Sequence, residues 1–583
     1  MDAVLRVLYS LRFCHNSLAP VNRLPSEILT RVFSLLQMLD PIRSLDYSKP
    51  ATGYNIDIGW LRATHVCCQW RIAAVGDPCL WSNIHVSSGA RWTDAFLHRA
   101  QMAPIMFNAA HLVKPTRSID VASAVVSHLC HMRELRISAI ISGELASILP
   151  LLRTAAPVLE KALVCNTDWF PNQAGLYTES PALPANLFDR TAPRLQELKV
   201  SDCGFFWSSI SFASLVNLDV EFLSKTNIQN TSNSEFNDFN ACLCALAGMP
   251  MLESLRLDCA LPKLPLGAAF DTLPAVTLPN VGKFILVDDV LECAVTLQHI
   301  STPVLKGEDM HICCTVNTAA GRGANLMHPW IASRLCAASP ICSGATSIRC
   351  WDDGFGLSVS DHCTHSPALQ RIGSDADSTD SESGPGHAPA MGTPFLQISF
   401  EGSETFTEIR GVLQLLPLGY LEVFQVSGED SFRMGYQHLF TAFRGCETVR
   451  HVRLAGGFAR DFIRLGTFGF LFPATDSVTF EDVDFTVGKL STGIHIACSS
   501  RRVQQIHLLD CRTDEQMRNR MARRVPEVFW DGVSDSGHWG SKDDDNEDDE
   551  DDEDGEDGED EEEDDDEVDD DDGDDDEDDD EDD

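Results

Sequence analysis

The sequence predicts an α/β chain with three parts in series: a helical hairpin near the N-terminus, an irregular solenoid of short parallel strands, and an unstructured acidic tail. Three observations carry this. The stretch Leu24-Pro25-Ser26-Glu27-Ile28-Leu29-Thr30-Arg31-Val32-Phe33-Ser34-Leu35-Leu36 places apolar residues at spacings of three and four behind a proline. A short phrase with leucine-type residues at fixed offsets recurs between Met132 and Cys511. The last segment, Asp543 to Asp583, holds 36 acidic residues and no base.

In the hairpin, Pro25 fits the first helical position, where its missing N–H costs nothing. Ile28, Leu29, Val32, Phe33 and Leu36 then gather on one face, and a short helix with such a face needs a partner. The spacing predicts that partner over Ala63 to Val75, where Ala63, Val66, Cys67, Trp70, Ala73 and Ala74 form a second stripe and Gly76-Asp77-Pro78 caps and stops the helix. Four blocks in this order, Leu24-Pro25 with Glu27-Ile28-Leu29, Asp40-Pro41, Val66-Cys67-Cys68-Gln69-Trp70-Arg71 and Asp77-Pro78-Cys79-Leu80-Trp81, resemble the F-box-like domain of fungal proteins. The resemblance covers residues 21–86, with residues 1–20 as an N-terminal segment before it. It implies a three-helix module that docks on the Skp adaptor of a cullin-RING ubiquitin ligase, and it places adaptor binding at Leu24, Pro25, Ile28, Leu29 and Trp81. The chain departs from the family pattern at Arg43 to Gly59, an insert between Asp40-Pro41 and the second helix.

The solenoid is expected over residues 87–365 and again over 395–532. It opens with a helix at Trp92 to Ala100 and a strand after Pro104, as in the fungal family. Leu195-Gln196-Glu197-Leu198-Lys199-Val200-Ser201-Asp202-Cys203 and Val503-Gln504-Gln505-Ile506-His507-Leu508-Leu509-Asp510-Cys511 fit the leucine-rich repeat pattern L-x-x-L-x-L-x-x-N/C. Phrases at Met132, Val449 and Leu252 fit its first half, and weaker copies surround Phe284 and Phe424. With the second leucine-type position as a ruler, Leu135, Ala162, Leu198, Leu218, Leu255 and Phe284 lie 27, 36, 20, 37 and 29 residues apart, so the repeats are irregular. Alternating apolar residues would enter a continuous core while Lys199, Arg256 and Arg453 point out, and stacked neighbours would build a parallel sheet. Trp81, Trp92, Trp351 and Trp530 read as core aromatics, whereas Trp207 reads either as core or as a partner-contacting aromatic on a repeat loop.

Two segments stand apart from the repeats. Residues 366–394 have almost no apolar content around Gly373 to Gly386 and are expected to be a disordered insertion. Residues 533–583 form the disordered tail, preceded by a last helix from Asp514 to Phe529 that would cover the end of the solenoid. Such a tail competes for basic partners such as histones, and leucine-rich repeats ahead of it also resemble the acidic leucine-rich nuclear phosphoproteins. An acidic-tailed protein that binds histones or other basic proteins, with no ligase role, is therefore the alternative reading.

Composition excludes several classes. The formal net charge is −45, and outside Asp543–Asp583 only −9 remains. No strong basic excess is left for duplex nucleic acid. The 20 cysteines are scattered through apolar stretches without framework spacing, which suits free thiols in a reducing compartment, cytoplasm or nucleus. The N-terminus lacks the pattern of a secretory signal, and no run reaches the ~18 to 20 apolar residues that span a membrane. There is no Gly-rich phosphate loop, His-Glu-x-x-His helix or Gly-x-Ser-x-Gly elbow. Cys336, Cys342, Cys350, His362, Cys363 and His365 are of zinc-ligand type, but their spacing lacks a C-x-x-C pair, so no metal and no cofactor are expected. The chain is not expected to be an enzyme. It is expected to be an adaptor whose partners are the Skp adaptor and cullin, a protein substrate the sequence does not identify, and basic proteins through the tail.

Overall fold

A computed structural model describes residues 2–44, 56–109, 121–138, 142–166, 181–223, 238–264, 272–303, 305, 309–316, 323–337, 344–351, 354–360, 363–364, 390–391, 394–401, 411–412, 414–415, 421–428, 446–456, 459, 472–485, 503–513 and 515–531. All lie in one unit, Met1–Ser534. The tail lies outside the described residues, as does the expected insertion at 366–394 apart from Ala390, Met391 and Pro394.

The chain opens with a helix, α1 (Asp2–Ser17), within the N-terminal segment of residues 1–20. α2 (Ser26–Leu39) follows, with Pro25 as its cap residue: the Pro25 carbonyl accepts from the Ile28 and Leu29 amides, each at 3.1 Å. After α2, the ends of the insert are zipped by β1 (Arg43–Ser44) and β2 (Ile56–Asp57), which pair antiparallel. Gly59 closes the insert with φ +49, and a Cβ there would lie 2.5 Å from the Asp40 carbonyl oxygen. Only glycine fits.

The second helix is shorter than its spacing predicts. Gly59–His65 is a 3-10 turn, Cys67 is extended (φ −155, ψ 169), and α3 spans only Cys68–Gly76. The break has a cause in packing. Gln69 Nε2 donates to the Asn22 carbonyl at 2.7 Å and Trp70 Nε1 donates to Asn22 Oδ1 at 2.7 Å, which fixes the start of α3 against the turn ahead of α2.

Beyond this module come β3 (Asn83–His85), α4 (Ala90–Ala100), β4 (Ile105–Ala109), β5 (Met132–Ser138), β6 (Lys161–Cys165), β7 (Glu197–Ser201), β8 (Asn217–Glu221) and β9 (Ser254–Asp258). Then follow β10 (Val276–Thr277), β11 (Lys283–Asp289), β12 (Ile300–Ser301), β13 (Met310–Thr315), β14 (Gly344–Trp351), β15 (Gly354–Ser360), β16 (Cys363–Thr364), β17 (Ala390–Met391) and β18 (Pro394–Glu401). The last are β19 (Leu421–Gly428), β20 (His451–Gly456), β21 (Ser477–Glu481), β22 (Gln505–Leu509) and β23 (Glu527–Trp530).

The pairings form one linear series. Strands β3 to β9 neighbour each other in chain order, β9 pairs with β11, and β11 with β13. The order then runs β13, β18, β15, β14, β19, and on to β23 in chain order. Within this series every pairing is parallel except those of β15, which runs against both its neighbours; β1–β2 and β16–β17 are separate antiparallel pairs and β10–β12 a separate parallel pair. Among the described residues β3 and β23 pair on one side only, so the sheet is open at both ends.

The leucine ruler holds residue by residue. Leu135, Ala162, Leu198, Leu218, Leu255 and Phe284 are successive register partners across six strands, and all are buried. Each repeat spends its variable length outside this line. A second constant feature follows the strand: Asp202, Cys259, Asp482 and Asp510 take positive φ directly after β7, β9, β21 and β22. Asp tolerates this left-handed turn better than most residues. The turn buries the next side chain, so Cys203 and Cys511 are fully enclosed, and Cys511 Sγ donates to the Phe480 carbonyl of the preceding strand at 3.3 Å.

Two sequence expectations change here. The helix predicted to Phe529 ends at Ala522, because Pro526 removes a backbone donor and biases the residue before it away from helix; Glu527–Trp530 instead adds β23 to the sheet. Trp207 is fully buried, with its ring centroid 5.3 Å from that of Phe205, so the partner-contacting reading is set aside.

Candidate functional site

The adaptor-facing candidates divide by burial. Leu29 is 1 % exposed and Trp81 1 %, so both belong to the module's own core. Trp81 Nε1 donates to the Ala74 carbonyl at 2.8 Å, its ring packs edge-on to Trp60 and Phe96 at 5.5 and 4.9 Å, and the Arg99 guanidinium sits 4.2 Å over it. Leu24 is half-buried against the same core. Pro25 and Ile28 are exposed.

α2 carries two apolar rows where the sequence suggested one. Leu29, Phe33 and Leu36 face the module interior, and the Phe33 ring lies 5.4 Å from that of Trp70. Ile28, Val32, Leu35 and Leu39 lie at spacings of four, three and four and are 48 %, 44 %, 44 % and 80 % exposed. At 100° per residue the second row is rotated roughly 100° from the first. α3 repeats the arrangement, burying Ala73 and Ala74 while Ile72 and Val75 stay exposed, as does Val66 just ahead of it. Large exposed apolar residues are concentrated here: of the seventeen among the described residues, thirteen fall between Val4 and Val75. The exposed apolar residues Leu35, Leu39, Ile72 and Val75 are not among the site residues predicted from the sequence. The i, i+4, i+7, i+11 spacing of Ile28, Val32, Leu35 and Leu39 was the available signal.

The outward face of the sheet is a second candidate surface, and its two halves differ. From β5 to β11 it carries half-exposed charges in an interleaved ladder. Lys161 meets Glu197 at 2.8 Å, Lys199 meets Asp219 at 2.9 Å and Glu221 at 3.4 Å, and Arg256 meets Asp258 at 2.9 Å and Asp219 and Glu221 at 3.7 Å. Burial pulls the Lys199 ammonium down, but Asp219 and Glu221 outweigh it and leave the pKa raised. An open cleft of ≈ 250 Å³ lies in this ladder, lined by Glu197, Lys199, Asn217, Asp219, Ser254, Arg256, Lys283 and Ile285 among others.

From β19 to β22 the outward positions are instead buried. Gln425, Arg453, Thr479 and His507 are register partners at one height, and all are enclosed. Arg453, expected to point into solvent, is buried and donates from Nε and Nη2 to Glu481 Oε2 at 3.0 and 2.8 Å. His507 stacks on Phe529 with centroids 4.8 Å apart, and burial, with His451 nearby, lowers its pKa. Among the described residues, the outward positions of β5 to β11 are open and those of β19 to β22 are mostly enclosed.

No group of three or more His, Cys, Asp or Glu side chains among the described residues is arranged to hold a metal ion. The side chains of Cys336, Cys342, Cys350, His362, Cys363 and His365 lie outside the described ones. No helix among the described residues is long and apolar enough to cross a membrane.

Residues 21–87 match the family model of F-box-like domains. No curated protein matches the chain. Among solved structures the chain is similar to the leucine-rich repeat-containing protein LegL7 from Legionella pneumophila, at 12% sequence identity over 71% of this chain and 96% of that one, with a TM-score of 0.22. The register of β5 to β11, with its ruler of buried leucine-type residues and its left-handed turns, independently defines leucine-rich-repeat-like architecture. The chain thus carries an F-box-like domain followed by a leucine-rich-repeat-like parallel sheet.

Proposed function

We propose that this chain is a substrate-recognition adaptor of a cullin-RING ubiquitin ligase, with the F-box-like module on the Skp adaptor and the open half of the sheet holding a protein substrate. The observation that carries it is the second apolar row of α2. Ile28, Val32, Leu35 and Leu39 spend helix surface on apolar side chains that no described residue covers fully. F-box-like domains bind Skp adaptors in general, and residues 21–87 match that family. The contact set is then Leu24 and Pro25 at the edge with Ile28, Val32, Leu35 and Leu39 on the face, while Leu29 and Trp81 support them from the core.

The chain supplies proximity, and the recruited ligase supplies the transfer chemistry. It works inside the cell, in cytoplasm or nucleus, where that ligase resides. The acidic tail adds a separable, salt-screened attraction for basic proteins.

Replacing Val32 and Leu35 together by Asp tests the reading. Both positions are exposed, so the melting transition stays in place while co-purification of the Skp adaptor is lost. Retained adaptor binding by the folded double variant would remove the assignment.

A further inference from the structure

A relay of three reactive side chains stands apart from both surfaces described above. Helix α5 (Val121–His128) ends at His128, and a 3-10 turn, Leu129–His131, leads directly into β5. Val125 and Leu129 anchor this corner in the core, His131 is buried, His128 is half-buried and Cys130 is exposed. Cys130 Sγ lies 3.8 Å from His131 Nδ1, and His131 Nε2 lies 3.2 Å from His128 Nδ1, with the two rings edge-on at 5.1 Å between centroids. Each ring nitrogen of His131 is thereby engaged, one by the thiol and one by the second imidazole.

This is the order of nucleophile, base and orienting group. A thiol sulfur accepts weakly and a bare imidazole nitrogen accepts well, so the protons run inward: Cys130 donates to His131 Nδ1, His131 Nε2–H donates to His128 Nδ1, and His128 carries its own proton on Nε2. Burial, with His128 beside it, lowers the pKa of His131 and keeps its Nδ1 open to the thiol proton at neutral pH. Burial likewise lowers that of His128, so its Nδ1 stays an acceptor. Two other exposed thiols lack this arrangement. Cys79 lies beside Asp77, and partial burial with that carboxylate raises its pKa, while Cys244 meets the Asn240 amide oxygen at 3.8 Å.

We propose that Cys130 is a site of S-thiolation by a low-molecular-weight disulfide of the glutathione class, with His131 as its base and His128 as the positioning residue. The Cys130 thiol proton passes to His131 Nδ1 as the Cys130 sulfur attacks one sulfur of the disulfide. A new S–S bond forms, the old one breaks, and the departing thiolate takes the proton back from His131. The incoming disulfide is the oxidant: half of it leaves as a thiol, and the other half is held on Cys130 as a mixed disulfide. The product places a tripeptide at the turn ahead of β5, the first strand of the charge ladder. The proposal goes beyond the adaptor reading and does not depend on it.

The test incubates the reduced full chain with glutathione disulfide at neutral pH and follows each cysteine by mass spectrometry of the digest. Cys130 is expected to gain glutathione about tenfold or more faster than Cys79 and Cys244, since a positioned base is worth that and more. In urea, where the three side chains separate, the rates are expected to converge. His131→Asn keeps an acceptor in place of Nδ1 but no base, and is expected to bring Cys130 down to the rate of Cys79 and Cys244. At half-buried His128, His128→Leu is expected to lose the rate, whereas His128→Asn, whose amide oxygen stands in for Nδ1, is expected to retain it. This second pair decides the matter if His131→Asn does not fold. Equal rates for the three cysteines in the native chain, a Cys130 lead that persists in urea, the parent rate in folded His131→Asn or His128→Leu, or loss of rate in both folded His128 variants would overturn the proposal.

Discussion

Ile28 and Leu29 are chain neighbours of similar size, and the structure gives them opposite roles. Leu29 is 1 % exposed, so Leu29→Ala removes buried methyl groups and leaves a cavity between α2 and α3. The expected loss of stability is about 2 to 5 kcal/mol. Ile28 keeps about half its surface in water, so Ile28→Ala should change stability by no more than about 0.5 kcal/mol. Its cost appears in binding. Full burial of such a side chain is worth roughly 1.5 to 3 kcal/mol, and about half of that remains to be gained at an interface. A loss of about 1 kcal/mol raises the Kd for the Skp adaptor roughly fivefold. Urea melts give the first quantity and calorimetric titration with purified adaptor the second. If Ile28→Ala proved as destabilising as Leu29→Ala, or left adaptor affinity untouched, the assignment of the two rows would be wrong.

Other consequences follow from burial along the sheet. Leu198→Ala and Leu255→Ala should each cost about 2 to 5 kcal/mol in thermal or urea melts, whereas Lys199→Ala and Arg256→Ala, whose ion pairs are about one-third exposed, should cost under about 1 kcal/mol. The Cys511 thiol is pushed up to about 12 by burial, so native-state alkylation at pH 8 should modify Cys14, Cys68 and Cys244 and spare Cys511, as read by mass spectrometry of the digest. Burial holds the Glu292 carboxyl above the usual range, against the pull of Lys263. Because the folded state keeps that proton longer than the unfolded one, this group's contribution falls as pH rises through the carboxylate range. Glu292→Gln, whose amide oxygen still accepts from the Leu264 amide, should therefore gain on the parent chain between acid and neutral pH. A parallel pair of stability–pH curves would contradict that.

Much of the architecture was legible because repeats constrain register more than length. Leu135 to Phe284 form one line of partners despite spacings from 20 to 37 residues, since the strands must align their apolar positions and the loops absorb the difference. The F-box-like hairpin was legible from block order. Its surface was not, because apolar residues at 28, 29, 32, 33 and 36 fit one broad stripe as well as two narrow rows, and only packing shows which half is covered. Arg453 was misread for a related reason: an outward strand position is exposed only if nothing lies over it. The reversed strand β15 is not read from the sequence, although Asp352-Asp353 followed by Gly354 at the start of β15 is a hairpin signal. The zinc-type residues near Cys350, the insertion and the tail lie outside the described side chains.

Hydrogen exchange of the full chain, measured with and without saturating Skp adaptor, tests the central claim most directly. The account predicts slowed exchange in α2, residues 26–39, and α3, residues 68–76, with β5 to β11 unchanged, because the adaptor covers the exposed rows of the helical module and leaves the sheet open for substrate. Absence of a complex, or protection in the strands with none in α2, would contradict it.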